Sequence, residues 1–138
     1  RENQLLEPAR VRAGDVLAGK ASEAPPSLIS VAPETAVRQA LGFITANNVS
    51  QVPVIAEGDC VGHIAESSLM AKVLEDTKVL DQSVQHVMDA PLPVVDAHVE
   101  LPAVTRLLSK NPAVLVRRVG KLHGIVTRYD VMRYVTSG

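Results

Sequence analysis

Apolar positions along this chain change period from two to about 3.6 and back, and the whole sequence of changes occurs twice. Leu28-Ile29-Ser30-Val31 is a short β-branched run, followed by helix-start chemistry at Pro33-Glu34-Thr35. Val37, Ala40, Leu41 and Ile44 then fall at i, i+3, i+4 and i+7, one face of an amphipathic helix that stops near Asn47-Asn48. Val52-Pro53-Val54-Ile55 and Cys60-Val61-Gly62-His63-Ile64 flank a turn at Glu57-Gly58-Asp59 and read as a β-hairpin. Ser67 or Ser68 is expected to cap a last helix bearing Leu69, Val73 and Leu74. The predicted unit is therefore β-α-β-β-α.

The second occurrence is in register. Adding 62 to the number superimposes Val52 on Val114, Val54 on Val116, Gly58 on Gly120, Gly62 on Gly124, Met70 on Met132 and Val73 on Val135. Upstream the offset is 64, which places Val31 on Val95, Val37 on Leu101, Ala40 on Val104 and Ile44 on Leu108. The second copy is thus two residues shorter between its first helix and its hairpin. The copies are expected over 27–75 and 91–138, with an N-terminal linker and short helix over 1–26 around Val11, Val16 and Leu17, and a polar connector with a short helix over 76–90. A unit of about 50 residues cannot bury both its sheet and its helices alone. The expected fold class is α+β, two pseudo-twofold-related repeats packed through their sheets. Two equivalent clefts follow, each walled by one copy's helix-to-strand loop and floored by the other's hairpin and final helix start.

The copies differ where chemistry is possible. Gly124-Ile125-Val126-Thr127-Arg128-Tyr129-Asp130 matches Gly62-His63-Ile64-Ala65-Glu66-Ser67-Ser68, but only the later copy has a hydroxyl at Thr127 and a carboxylate at Asp130. Thr127 ends a strand, and Asp130 sits in the first turn of the next helix, where backbone N–H groups and the helix dipole favour an anion. That hydroxyl and those amides suit a phosphate. Asp130 suits the paired hydroxyls of a sugar, as an acid does on ribose in dinucleotide-binding folds, and Val49 and Ile125 suit a flat base. An isolated T-x-x-D reads first as a helix cap worth about 1 kcal/mol; the registered repeat around this one favours a ligand pocket. Ala65 and Ser68, opposite the shortened Asn111-Pro112 loop, offer a methyl group and an uncharged hydroxyl. That second cleft is expected to be empty or weakly occupied.

Composition narrows the alternatives. Lys+Arg number 14 against 15 Asp+Glu, so no large basic field awaits a nucleic acid or an anionic bilayer. Aromatic residues are 2% of the chain with no Trp, which removes the stacking platforms of single-strand binders. Cys60 is the only cysteine, which excludes an intrachain disulfide, fits a reducing cytoplasm and reads as a small buried hydrophobe. No apolar run approaches the roughly 20 residues of a membrane span, and the start at Arg1 rather than Met implies a piece of something longer. His63, His86, His98 and His123 show no metal-ligand spacing and read as surface or strand-filling side chains. Met70 and Met132, matched across the repeat, are expected to fill core, and Arg117-Arg118 to be a solvated strand end. No nucleophile-base pair, metal cluster or cofactor lysine points to catalysis.

With these motifs in view, the chain from Val11 to Val135 resembles a tandem pair of CBS domains, the Bateman module. Val49-Ser50-Gln51-Val52-Pro53-Val54, Pro91-Leu92-Pro93-Val94, Ala113-Val114-Leu115-Val116 and Gly124 to Asp130 resemble more narrowly the C-terminal regulatory region of pyridoxal-phosphate-dependent cystathionine β-synthases. The resemblance implies a non-catalytic regulatory module that binds an adenosyl ligand such as AMP, ATP or S-adenosylmethionine and controls an attached lyase. Pyridoxal phosphate would belong only to that parent enzyme. Carried over, Thr127 and Asp130 contact ribose or phosphate, Ile125 and Tyr129 line the same wall, Val49 faces the base, Ser50 and Gln51 approach the polar end, and Ser27 lies near the base edge. Ser50 stands where members that bind S-adenosylmethionine usually carry an acid, and it lacks the charge to pair with that ligand's ammonium. The resemblance also implies a homodimer formed through the helices, and a ligand-independent dimerisation or assembly role is the alternative.

Overall fold

The structure, a computed structural model, describes residues 10–21 and 28–137. The helices are α1 (Ala13–Ala21), α2 (Val37–Asn47), α3 (Glu66–Glu75), α4 (Leu101–Leu108) and α5 (Arg128–Ser137). The strands are β1 (Gln51–Ala56), β2 (Asp59–Ala65), β3 (Val94–Asp96), β4 (Ala113–Arg118) and β5 (Lys121–Thr127). This is an α+β fold. It divides into two units, one of Ile29–Pro91, the other of Leu92–Gly138 with the chain before Ile29, to which α1 belongs.

In the unit of Ile29–Pro91, β1 and β2 form an antiparallel hairpin closed by Glu57 and Gly58 at φ 51° and 84°. Two consecutive positive φ values make the type I′ turn whose twist matches the flanking strands. The pairing slips after Val54, leaving Val61 as an extra residue beside Gly62. One face of the hairpin is covered by α2 and α3, and Val37, Ala40, Ile44, Val52, Val54, Ile64, Leu69, Val73 and Val84 form a buried core. The α2 helix stops at Asn48, which adopts the left-handed conformation at φ 53° and returns its N–H to Ile44 and Thr45 carbonyls. The 3-10 turns Thr77–Asp81 and Val84–His86 follow α3.

The second unit repeats this plan. Val119 and Gly120 close the β4–β5 hairpin at φ 51° and 76°, and the slip after Val116 leaves His123 beside Gly124. Here β3 adds a parallel strand to β4, giving the order β3-β4-β5. Its core joins Val95, Leu101, Val104, Leu108, Val114, Val116, Val126 and Val131 to Val11, Ala13 and Val16 from the start of the chain.

Each unit is finished by a segment lying just before the other unit's repeat in sequence. Ala13 N–H donates to Val99 O and Leu101 N–H to Val11 O, each at 2.8 Å. Val84 N–H to Thr35 O and Val37 N–H to Gln82 O reproduce the pair at 2.8 Å in the other unit. Leu17 lies over Gly124 and Met88 over Gly62, so close that a Cβ at either glycine would overlap the covering side chain. This is why both hairpins need glycine there.

Several expectations change. The strand expected at Leu28–Val31 reduces to one bridge, Val31 to Val54. At the matching place in the other unit, Ala97 N–H extends the ladder to Arg117 O at 2.8 Å; Pro33 has no N–H to do so. Thr35 does not cap α2 but accepts the Ala32 N–H in the preceding turn at 3.2 Å, and the N-cap is Ala36. Ser67 and Ser68 lie inside α3, whose N-cap is Ala65, without a side-chain bond. Met70 and Met132 are exposed rather than core-filling. Cys60 is only half-buried, its thiol directed at Gly62 O at 3.2 Å. The short helix expected around Val11, Val16 and Leu17 is α1, of nine residues.

Candidate functional site

The β5 strand runs into α5 at Thr127, and the junction is tied by side chains. Asp130 Oδ2 accepts the Thr127 N–H at 2.8 Å and the Thr127 hydroxyl at 3.0 Å. Asp130 N–H in turn donates to Thr127 Oγ1 at 3.2 Å. This is a capping box, with residues three apart satisfying each other's backbone N–H groups at a helix start. It fixes the carboxylate beside the positive end of the α5 dipole. Both side chains are half-buried. The cap and the candidate ligand group are therefore the same pair of residues.

At the matching junction of β2 and α3, Ala65 has no oxygen to give and makes no cap bond. Ser68, three residues on, is half-buried within the helix. The Glu66 N–H, which no such box would reach, donates to Ser50 O at 2.9 Å. Gln51 pairs with Ala65 across the hairpin, so the loop before β1 lies beside the end of β2.

The remaining expected site residues divide between the units. Ile125 and Thr127 are alternate residues of β5 and so share a face of the strand. Tyr129 is in the first turn of α5 with 69% of its surface exposed. In the other unit Val49 packs against the core, Ser50 is exposed, and Gln51 begins β1. Ser27 lies outside the described residues. Asn111 folds back on α4, its backbone and side-chain N–H groups both donating to Leu107 O at 3.0 Å, and Pro112 leads into β4.

One residue of this region is not among the sequence candidates. Arg128, between Thr127 and Asp130, directs its guanidinium to Leu108 O and to Asn111 O, the latter at 3.3 Å. A cation on the last carbonyls of α4 complements that helix's negative end. The repeat register holds the signal, since Arg128 matches Glu66. A second polar group lies in the unit of Ile29–Pro91. There His63 Nδ1 is 2.6 Å from Ala90 O, and Lys72 Nζ donates to Val87 O at 2.6 Å and lies 3.7 Å from Asp89. These bonds hold the segment that carries Met88.

The two units are opposite in charge. Residues 29–91 carry three Lys/Arg against eight Asp/Glu, whereas residues 1–28 and 92–138 together carry eleven against seven. The capping box thus belongs to the unit whose field attracts anions. Among the described residues no helix is long and apolar enough to cross a membrane, and no three His, Cys, Asp or Glu side chains are grouped to hold a metal ion.

Comparison with known proteins agrees with this architecture. The chain is similar to CBSX2 from Arabidopsis thaliana, at 25% identity over 91% of this chain and 94% of that one, with a TM-score of 0.72. Against a structure of CBSX2 in complex with AMP the identity is 27% over 91% and 96%, with a TM-score of 0.71. A CBS-domain-containing protein from Agrobacterium tumefaciens has the same fold, with a TM-score of 0.75 at 23% identity over 90% and 92%. Among curated proteins the chain is 25% identical over 108 residues to one named zinc metalloprotease MJ0392, from Methanocaldococcus jannaschii. That alignment spans 78% of this chain but only 29% of the relative. The CBS domain family model matches twice, at residues 22–75 and 84–137, and the chain therefore belongs to the CBS-domain family as a tandem pair.

Proposed function

We propose that this CBS pair senses an adenosyl ligand of the AMP, ATP or S-adenosylmethionine type. The observation that carries the reading is the Thr127–Asp130 pair. A hydroxyl and a carboxylate are held at a helix start in one repeat and absent from the other. In this reading Thr127 and Asp130 meet the ribose or phosphate, Ile125 and Tyr129 line the same wall, Val49 faces the base, Ser50 and Gln51 approach the polar end, and Ser27 the base edge. Ala65, Ser68, Asn111 and Pro112 mark a second position that is empty or weakly occupied. The similarity to CBSX2, which has been crystallised with AMP, supports the ligand class. The basic charge of residues 1–28 and 92–138 supports it as well.

The bound module controls an attached enzyme by favouring one of its arrangements, and only to the extent that it binds the two arrangements differently. A pyridoxal-phosphate lyase of the cystathionine β-synthase kind is the proposed parent. A second reading, ligand-independent assembly into a homodimer through the helices, is favoured by one observation. Met70 and Leu74 on α3, and Tyr129 and Met132 on α5, are large apolar side chains left exposed.

A thermal scan with AMP, ATP, S-adenosylmethionine and S-adenosylhomocysteine separates the two. Ligand at about 100 times its dissociation constant stabilises by about 2.7 kcal/mol, several degrees for a domain of this size. Asp130→Ala is expected to abolish that shift. A dimer whose melting is indifferent to every adenosyl compound decides for assembly.

A further inference from the structure

Resting on the assembly reading above, we infer that the contact between copies is crossed, α3 of one copy packing on α5 of a second copy rather than each helix on its own counterpart. The outer face of α3 is set by residues four apart, Glu66, Met70 and Leu74, with Ser67, Ala71 and Glu75 beside them. All six are exposed, while Leu69 and Val73 on the inner side are buried. The offset of 62 gives the corresponding face of α5: Arg128, Met132 and Thr136, with Tyr129, Arg133 and Ser137, again all exposed, above the buried Val131. Of the six large apolar side chains left exposed among the described residues, Met70, Leu74, Tyr129 and Met132 lie on these two faces. An apolar middle with a charged margin, rich in Met, Tyr and Arg, is the composition of a protein interface.

The charges decide which face meets which. At the matched positions Glu66 faces Arg128 in register, Ala71 faces Arg133 and Glu75 faces Ser137, so every difference has the same sense and leaves α3 acidic and α5 basic on the outside. Glu66 and Glu75 enter no ion pair among the described residues. Arg128 donates to the carbonyls of Leu108 and Asn111, which are neutral and leave its charge in place. Packing α3 on α3 gathers carboxylates, and packing α5 on α5 gathers guanidinium groups; the crossed contact sets one against the other. The apolar side chains buried are the same in sum either way, so electrostatic complementarity is what separates the arrangements. The opposite net charges of the two units act in the same direction.

Sedimentation of the full chain at about 0.1 M and about 1 M salt, where the screening length falls from roughly 10 to roughly 3 Å, gives the first test. The crossed contact is expected to weaken as salt rises. Contacts between like helices would tighten as their repulsion is screened, and that result overturns the inference. Glu66→Lys with Glu75→Lys should weaken self-association on the order of tenfold, because cations then face cations; an unchanged dissociation constant overturns it. The pairing itself is read with single cysteines in a Cys60→Ser background, Ala71→Cys on α3 and Thr136→Cys on α5. A short thiol crosslinker is expected to join these two proteins when they are mixed, and neither to itself. Self-coupling of either overturns the crossed contact and leaves assembly standing. A wild-type chain that stays monomeric at both salt concentrations removes the assembly reading, and the crossed contact with it.

Discussion

The starts of α3 and α5 are the same place in two copies of one sequence plan, yet they are held in different ways. At the start of α5, Thr127 and Asp130 exchange three hydrogen bonds and Arg128 ties the helix to the end of α4. At the start of α3, Ala65 and Ser68 make no such bonds, and the loop carbonyl of Ser50 satisfies Glu66 N–H. Both junctions fold, so the side-chain box is not needed to turn a strand into a helix here. A feature that folding can do without, held in only one copy, is where a ligand-dependent role is best sought.

The largest test of the comparison removes the segment that completes the later repeat. Deleting residues 1–28 takes Val11, Ala13 and Val16 out of a core in which each is at least 95% buried. Full burial of an aliphatic side chain is worth about 1.5–3 kcal/mol, so the expected loss is about 4 kcal/mol. Hydrogen exchange should show protection collapsing over 92–137 while the hairpin of 51–65 keeps its own. Uniform loss of protection in both units would end the description of α1 as part of one unit only.

Next come the two hairpin glycines. A Cβ at Gly62 meets Met88 and also the Asp89 carbonyl at 2.9 Å, whereas at Gly124 the nearest atoms all belong to the Leu17 side chain. Overpacking costs about 1–3 kcal/mol. Gly62→Ala is expected near the top of that range and Gly124→Ala near the bottom, read from urea midpoints. The reverse order would mean that the Met88 segment yields more easily than α1.

The smallest effect comes from transplanting the box. Ala65→Thr with Ser68→Asp should add about 1 kcal/mol, the usual worth of a helix cap, because Ala65 already has the extended φ −103° and ψ 131° of an N-cap. In a double-mutant cycle the pair should stabilise more than its two singles together. If the singles simply add, the reciprocal bonding seen at Thr127 and Asp130 has not been reproduced.

Much of this was legible in the chain. The offset of 62 paired Gly58 with Gly120, and both close type I′ turns; it paired Gly62 with Gly124, and both lie under a covering side chain. The helix from Val37 followed from apolar spacing, and its stop near Asn47-Asn48 from the asparagines there, Asn48 taking the left-handed conformation. What failed to show were properties of surroundings. Met70 and Met132 match across the repeat like core residues, but matching positions share only a direction, and within the described residues that direction leaves both exposed. The register marks Arg128 only by its mismatch with Glu66; its partners at Leu108 and Asn111 are backbone carbonyls, which every residue has and no residue type marks.

The order of helices and strands, the repeat and its register, the turns and the unequal pairs Thr127/Ala65 and Asp130/Ser68 were determined by the sequence itself. These depend on side-chain periodicity and backbone preference within a few residues. The tertiary structure alone decided that α1 completes the later repeat and that Ile29 to Val31 pairs by one bridge. It alone decided, too, that the Thr127 hydroxyl spends its hydrogen on Asp130. Those outcomes depend on which groups meet across long stretches of chain, or on which of several available acceptors a donor faces, and that is a matter of geometry rather than of residue type.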